Sequence, residues 1–143
     1  MIKARRIRHV SFSTPDLARQ TDYYQSIVGL GVVARESDRL FMATESDELA
    51  IVLEAGAEQK CKRIAFEVGP DVDLVDMRAN LSASGIASEV RSDSVPGVSR
   101  SLVFTDPDVR QRRTSIGFHH CAVLVGKGRD ADRGRRLDHR RCD

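Results

Sequence analysis

The amino-acid sequence predicts an α+β fold made of two similar units, each with the order strand-helix-strand-strand-strand. The stretch from Arg8 to Val33 has the pattern of a strand, a helix and a second strand. A second alternating run begins at Arg63, which lies 54 residues after His9, and a similar order of elements follows it. Two copies of one pattern at a fixed spacing indicate an internal repeat.

The first strand has one apolar and one polar face. Val10 and Phe12 fall on one side, and His9, Ser11 and Ser13 fall on the other, because successive strand residues point to opposite faces. We expect the first helix to pack on the apolar side. The polar side then faces whatever the sheet curves around.

Helix signals follow this strand directly. Thr14 is a candidate N-cap and Pro15 suits the first helical position. Gly29 is a typical helix terminator. Between these positions a stripe at helical spacing is expected to be buried; it consists of Leu17, Tyr24, Ile27 and Val28.

Each unit is completed by shorter runs with turn residues between them. The first unit continues with strands over 39–44 and 49–54, and a polar connection over 55–60 marks the boundary. The second unit has strands over 63–68, 86–91 and 101–105, a helix over 72–84, and a candidate last strand at Thr114–Phe118. We therefore assign residues 1–118 to two units, about 1–57 and 58–118. Residues 119–143 form a basic tail.

Composition narrows the function classes. Residues 109–143 hold 10 Lys and Arg against 4 Asp and Glu, whereas residues 1–108 hold 13 against 17, so the net charge of +2 comes from the C-terminal part of the chain, which includes the tail. The tail lacks the aromatic side chains that stack on bases, and we expect no nucleic-acid partner.

No run approaches the roughly 20 apolar residues that span a bilayer. No apolar signal-peptide core follows the N-terminus. We expect a cytoplasmic protein. The three cysteines show no CxxC spacing, which argues against a disulfide framework and a thiolate zinc site.

The motifs RHVSFSTPDLARQTDYYQSIVGLGVV, RIAFEV and SLVFTDPD resemble the vicinal oxygen chelate superfamily, which includes glyoxalase I, bleomycin resistance proteins and extradiol dioxygenases. The sequence as a whole is most similar to the N-terminal half of an extradiol dioxygenase. The resemblance implies paired βαβββ modules that form a curved mixed sheet around a cup, with the helices on the outer face. It also implies a small aromatic or other small-molecule ligand and a homo-oligomer.

Metal-binding members of this superfamily hold a divalent ion such as Fe(II) or Mn(II) in the cup. The resemblance implies a histidine on the first strand of one module, a second on the first strand of the next, and a glutamate on that module's last strand. His9 occupies the first position. Arg63 occupies the second, and Gly117 stands where the glutamate is expected. An incomplete metal site is therefore predicted.

Residues Phe118–Val125 resemble the first strand of a third module, with His120 at its ligand position. The tail would then be the truncated start of that module. The alternative is a histidine in a segment whose composition is typical of disorder.

Ser11, Arg63 and Glu67 share the predicted inner face with His9, and we predict that they line the cup. Three functions follow from the resemblance. The first is the structural N-terminal module pair of an extradiol-type ring-cleaving dioxygenase, inactive by itself. The second is a metal-free small-molecule-binding module of the bleomycin-resistance kind. The third is a glyoxalase-like lyase that takes further ligands from a partner chain.

Overall fold

The structure is a computed structural model that describes residues 4–105 and 121–126; for residues 93, 94 and 121–126 it describes the backbone alone. In chain order the elements are β1 (Ala4–Thr14), α1 (Leu17–Tyr23), a π-helical turn (Tyr24–Val28), β2 (Gly31–Arg35), β3 (Arg39–Ala43), β4 (Leu49–Ala55), β5 (Lys60–Val68), α2 (Leu74–Ala83), β6 (Ser88–Val95), β7 (Val98–Thr105) and β8 (Cys121–Gly126). Among the described residues, no helix has both the length and the apolar character that a membrane crossing requires.

All eight strands of the described residues form one mixed sheet in the order β2-β3-β4-β1-β5-β8-β7-β6. β1 pairs with β4 in parallel and β5 pairs with β8 in parallel, while β1 and β5 meet antiparallel at the centre. The order of the first four strands is thus repeated in reverse by the second four. This confirms the predicted α+β fold of paired βαβββ modules.

Both helices cover the outer face of the sheet. Leu17 and Tyr24 pack against a cluster that includes Leu40 and Leu53. In the second module, α2 buries Leu74, Met77 and Leu81 against Val68 and Leu102. Val10 and Phe12 lie on this outer face in the predicted way, since Phe12 packs against the α1 cluster.

Two apolar clusters lie on the inner face instead. One contains Phe41, Leu49 and Val52, and the other contains Ala65 and Val98. Val95 of the second module packs against both clusters. The β6–β7 hairpin therefore contacts the first module across the hollow of the curved sheet.

The end of the first helix differs from the prediction. Ile27 is 72% exposed and Val28 is 52% exposed, although both were expected in the buried stripe. The chain winds as a π-helical turn over Tyr24–Val28, and this wider winding shifts the helical phase. Gly29 ends the turn with φ 81°, as predicted for a glycine terminator.

The N-cap also lies elsewhere. The carboxylate of Asp16 accepts a hydrogen bond of 3.0 Å from the backbone nitrogen of Arg19, so Asp16 caps α1. Thr14 Oγ1 instead accepts from the backbone nitrogen of Asp16 at 3.2 Å, which fixes the turn before the helix.

Within the described residues, the last strand of the second module is β8. The predicted strand Thr114–Phe118 lies outside the described residues. Cys121–Gly126 forms β8 between β5 and β7, although the run Phe118–Val125, which overlaps this strand, resembles the first strand of a third module. An apolar run of this length suits either position, and only the strand pairing distinguishes them.

Candidate functional site

The concave face of the sheet contains a cavity of about 350 Å³. His9 and Ser11 of β1, Glu54 of β4 and Arg63 of β5 line one side of this cavity. The β6–β7 hairpin contributes three valines and two polar residues to the lining: Val95, Val98, Val103, Arg91 and Ser101. Glu36, Asp38 and Arg39 complete it. The structure therefore brings together His9, Ser11 and Arg63, three of the five site residues that the sequence indicated.

The pairing of β1 with β5 shows how the two modules are related at this cavity. His9 pairs with Ala65, and Ser11 pairs with Arg63. Because Ala65 follows Ser11 by 54 residues and Arg63 follows His9 by the same number, each pair is the symmetry mate of the other. Arg63 is thus the structural counterpart of His9, which is the position that the resemblance assigned to a second histidine.

The last strands supply a second pair of equivalent positions. Ser13 pairs with Glu54 on β4, and its counterpart Glu67 pairs with Val125 on β8. Val125 therefore takes the place in the second module that Glu54 takes in the first. The predicted glutamate position, Gly117, lies outside the described residues.

Glu54 is the centre of a buried charge cluster. Its side chain is 8% exposed and accepts a hydrogen bond of 2.7 Å from Arg63 Nη1, and it also bonds Lys62 Nζ. Burial alone would raise the pKa of Glu54, but the hydrogen bonds and positive charges of Lys62 and Arg63 hold it below its ordinary value. The carboxylate is therefore ionised and already paired.

A β-bulge explains how two cations reach one carboxylate. Ser11 pairs with Arg63 but the next residue, Phe12, pairs with Cys61, so Lys62 is an extra residue in β5. Such a bulge redirects side chains that strict alternation would place on opposite faces. This feature brings Lys62 to Glu54 beside Arg63.

His9 is buried, with only 4% of its surface exposed. Its Nδ1 has no hydrogen-bond partner among the described residues. Burial lowers the pKa of His9 to about 4, and the positive charges of Arg8 and Arg63 contribute to the shift. At neutral pH the imidazole is therefore uncharged and can accept a hydrogen bond.

This shift predicts a pH dependence of stability. Between pH 6.5 and about 4 the unfolded chain binds a proton at His9 that the folded protein does not bind, so acidification favours unfolding. We expect the free energy of unfolding to fall by about 3 kcal/mol over this range because of His9, and His9 to have little effect above pH 6.5.

Urea unfolding of the wild type and of His9→Gln at several pH values measures this contribution. The carboxylates titrate in both proteins, so their contribution cancels in the comparison. The loss of stability between pH 6.5 and 4 should therefore be smaller in the variant by about 3 kcal/mol, the contribution of His9. Identical pH profiles would show that His9 is not the group responsible.

Glu67 does not line the cavity, which differs from the prediction. Its carboxylate bonds Arg6 Nε at 3.0 Å and Arg8 Nη1 at 3.3 Å, and Arg6 also bonds Glu48. Irregular pairing between β1 and β5 on both sides of Ile7 brings these arginines onto Glu67. The predicted ligand His120 lies outside the described residues.

The described side chains do not fit the metal that the resemblance implies. Fe(II) and Mn(II) sites of this kind need two imidazoles and one carboxylate on one face. Here His9 is a single imidazole, and Arg63 cannot lose its proton to become a metal ligand. The carboxylate of Glu54 is bonded to two cations, Lys62 and Arg63. Among the described side chains, no group of three or more His, Cys, Asp and Glu residues could hold a metal ion.

Sequence reasoning missed Glu54 and Lys62. The alternation of β4 could have indicated Glu54, because it shares the inner face with Val52. No local signal could have indicated Lys62, since its orientation depends on a bulge in the pairing with another strand.

Solved structures share this fold. An extradiol ring-cleaving dioxygenase from B. fuscum matches with a TM-score of 0.72 and 22% identity, over 88% of this chain and 33% of that chain. A substrate complex of homoprotocatechuate 2,3-dioxygenase from Brevibacterium fuscum with 3,4-dihydroxyphenylacetate matches with a TM-score of 0.72 and 20% identity, over 88% and 37%. This chain spans about a third of the length of these enzymes.

Sequence comparisons give a family but no individual relative. No curated protein matches the chain significantly. Residues 6–109 match the model of the Glyoxalase/Bleomycin resistance protein/Dioxygenase superfamily. The matched residues include β1 from Arg6 onward, β2–β7 and the described side chains of the cavity. The chain belongs to the Glyoxalase/Bleomycin resistance protein/Dioxygenase superfamily.

Proposed function

We propose that this chain is the structural, metal-free module pair of an extradiol-dioxygenase-like protein and does not cleave aromatic rings by itself. The observation that carries the proposal is the Lys62–Glu54–Arg63 cluster. It places a guanidinium at the symmetry counterpart of His9 and pairs the carboxylate that a metal ion would need. The match to about a third of extradiol dioxygenase chains supports the same assignment.

The charges next to Glu54 oppose a cation bound to its carboxylate. A divalent ion beside Glu54 would lie close to two positive side chains, and it would have to displace Arg63 from a hydrogen bond of 2.7 Å. Unlike histidine, arginine keeps its proton at any pH that a folded protein experiences. The cluster thus provides the positive charge that a metal would otherwise supply.

Metal content tests the proposal. After incubation with Fe(II) without oxygen, or with Mn(II), and removal of unbound metal, the purified chain should hold far less than one ion per molecule by elemental analysis. His9→Gln is the matched control, since it removes the imidazole from the cavity. Equal traces in both proteins would indicate adventitious metal, whereas one ion per wild-type chain that disappears in His9→Gln would contradict the proposal.

Ring cleavage provides a second measurement on the same samples. Incubation with catechol in air should give no yellow ring-fission product. Formation of that product by the metal-loaded chain would show that the chain is catalytic by itself.

A metal-free small-molecule-binding module is the second candidate function. The cavity favours it, because its volume of about 350 Å³ is within the range of ligand sites and its lining combines three valines with buried polar side chains such as His9 and Ser11. A structural module pair does not require such a cavity. Binding measurements distinguish the two roles.

A further inference from the structure

We infer that the tip of the β6–β7 hairpin, residues 95–98, is a lid that opens at a β-bulge and exposes the inner face while the rest of the sheet stays folded. The tip contributes Val95 and Val98 to the lining of the cavity that also contains His9 and Ser11. The inference goes beyond the proposed function and does not rest on the absence of a metal, because it concerns only the hairpin and what its tip contacts.

The hairpin of the second module is longer than its counterpart in the first. β6 and β7 have 8 residues each, whereas β2 and β3 have 5 residues each. Both hairpins begin shortly after the glycine that ends the preceding helix, Gly29 or Gly85, so the additional residues lie at the tip. Three more residues in each strand extend the tip by about 10 Å. This length lets the tip reach the first module.

A β-bulge lies between the tip and the rest of the hairpin. Ser92 pairs with Arg100, but Val95 pairs with Val98, so β6 holds one residue more than β7 between these two pairs. A bulge leaves a residue out of the ladder, bends its strand and increases the twist. Because β6 ends the strand order of the described residues, no further strand in this part of the chain holds the bulge from the other side. The bulge is therefore the natural hinge of the hairpin.

The tip itself is stiff and can move as a unit. Pro96 and Gly97 form the turn between the paired residues Val95 and Val98. The ring of Pro96 fixes one backbone angle, and Gly97 has φ 74°, a conformation that glycine adopts without strain. Flexing is thus expected at the bulge and not within the turn.

Two valines hold the tip on the inner face. Val95 packs on both inner clusters, while Val98 is 4% exposed and packs with Ala65. Among the described side chains, Val95 is the one member of the Phe41 cluster that the second module supplies. Opening separates these contacts alone, whereas global unfolding exposes the whole core. Opening should therefore cost much less free energy than unfolding.

No ion pair holds the tip through a side chain of its own. Residues 95–98 are Val, Pro, Gly and Val, none of which carries a charged or polar side chain. The charged residues of the cavity lining all lie outside the tip: Glu36, Asp38, Arg39, Glu54, Arg63 and Arg91. Lifting the tip thus separates apolar surfaces and leaves the paired charges in place.

The cavity lining provides a reporter of opening. Ser11 lines the cavity but is only 3% exposed. Ser11→Cys introduces a thiol at this position with little change of size. In the full chain, kept in EDTA, this thiol is labelled with iodoacetamide at urea concentrations below the unfolding transition. Mass spectrometry of the peptide that contains position 11 measures the labelling, so the three native cysteines stay in place.

The rate and its urea dependence identify the motion. Labelling should be at least about 10-fold faster than the unfolded fraction of the chain accounts for, and nearly independent of urea, because local opening exposes little surface. A rate that follows global unfolding at every urea concentration would overturn the inference. A rate equal to that of a free thiol would overturn it as well, since the inner face would then be open without any movement.

Val95→Ala and Val32→Ala form a matched pair, because they remove the same atoms from opposite faces of the sheet. Val32 packs on the outer cluster beneath the first helix and does not belong to the inner clusters. Val95→Ala should raise the labelling rate at position 11 at least about fivefold, and Val32→Ala should change it less than about twofold. Equal acceleration in both variants would show that the thiol reacts through global unfolding.

His9 provides a second readout in a chain without the introduced thiol. The imidazole is 4% exposed and lines the same cavity. Its modification by diethyl pyrocarbonate, located by mass spectrometry, should be accelerated by Val95→Ala and not by Val32→Ala. This measurement decides the matter even if Ser11→Cys does not fold. Equal rates for His9 in the two variants would show that the tip is not the lid.

Discussion

Phe41→Ala is expected to lower the free energy of unfolding by about 4 kcal/mol, the largest effect among the substitutions considered. Phe41 is completely buried on the inner face, where it clusters with Leu49 and Val52. Truncation removes apolar contacts and leaves a void that the surrounding strands can fill only in part. The guanidinium of Arg39, 5.5 Å from the ring centroid, also loses its contact with the ring.

Phe41 belongs to a cluster that contacts both modules. Val95 of the β6–β7 hairpin packs against the same cluster, so this aromatic ring helps to hold the second module against the first. Ile27→Ala is the control, since Ile27 is 72% exposed and its truncation should cost less than about 0.5 kcal/mol. Urea unfolding followed by circular dichroism measures both. Equal, small losses would show that the inner-face cluster is not a core.

Glu54→Gln is expected to destabilise the protein by about 3 kcal/mol, the second largest effect. The substitution keeps the size of the side chain but removes the charge that pairs Lys62 and Arg63. Two cations would then face each other without a carboxylate between them. The effect should be at the lower end of the range for buried pairs, because Lys62 and Arg63 are about a third exposed and water screens part of their repulsion.

Glu58→Gln is the matched control for this charge effect. Glu58 lies 3.8 Å from Lys60, and its side chain is 77% exposed. Its loss should cost less than about 0.5 kcal/mol. If both variants unfold at the same urea concentration, the Glu54 cluster contributes no more than a surface ion pair, and its pairing would no longer argue against metal binding.

Alternation and spacing predicted the centre of the molecule correctly. The pattern around His9 assigned Val10 and Phe12 to the helix side and His9, Ser11 and Ser13 to the other, and burial in the structure agrees. The repeat of 54 residues made Arg63 the counterpart of His9, and the strand pairing agrees, since His9 pairs with Ala65 and Ser11 pairs with Arg63. These properties are local, because the direction of a strand side chain follows from its position in the sequence.

The predictions that were wrong depend on contacts between distant segments. Strand alternation places Glu67 on the same face as the cavity residue Arg63. Irregular pairing between β1 and β5 instead brings Arg6 and Arg8 to its carboxylate, which bonds both. Ile27 and Val28 have helical spacing, but the π-helical turn moves them into solvent. In the helix the wider winding changes which side chains are buried, and in the sheet the irregular pairing changes which side chains meet.

The sequence by itself determined the two-module plan and the polar face that carries His9. The signals for both, side-chain periodicity and the glycine after the first helix, depend only on residues that are close together in the sequence. Only the tertiary structure decided that Glu54 joins Arg63, that a bulge adds Lys62, and that Cys121–Gly126 completes the second module. Each of these depends on which strand lies beside which and in what register, and hydrogen bonds between remote strands fix that choice. The chemistry of the cavity follows from this pairing.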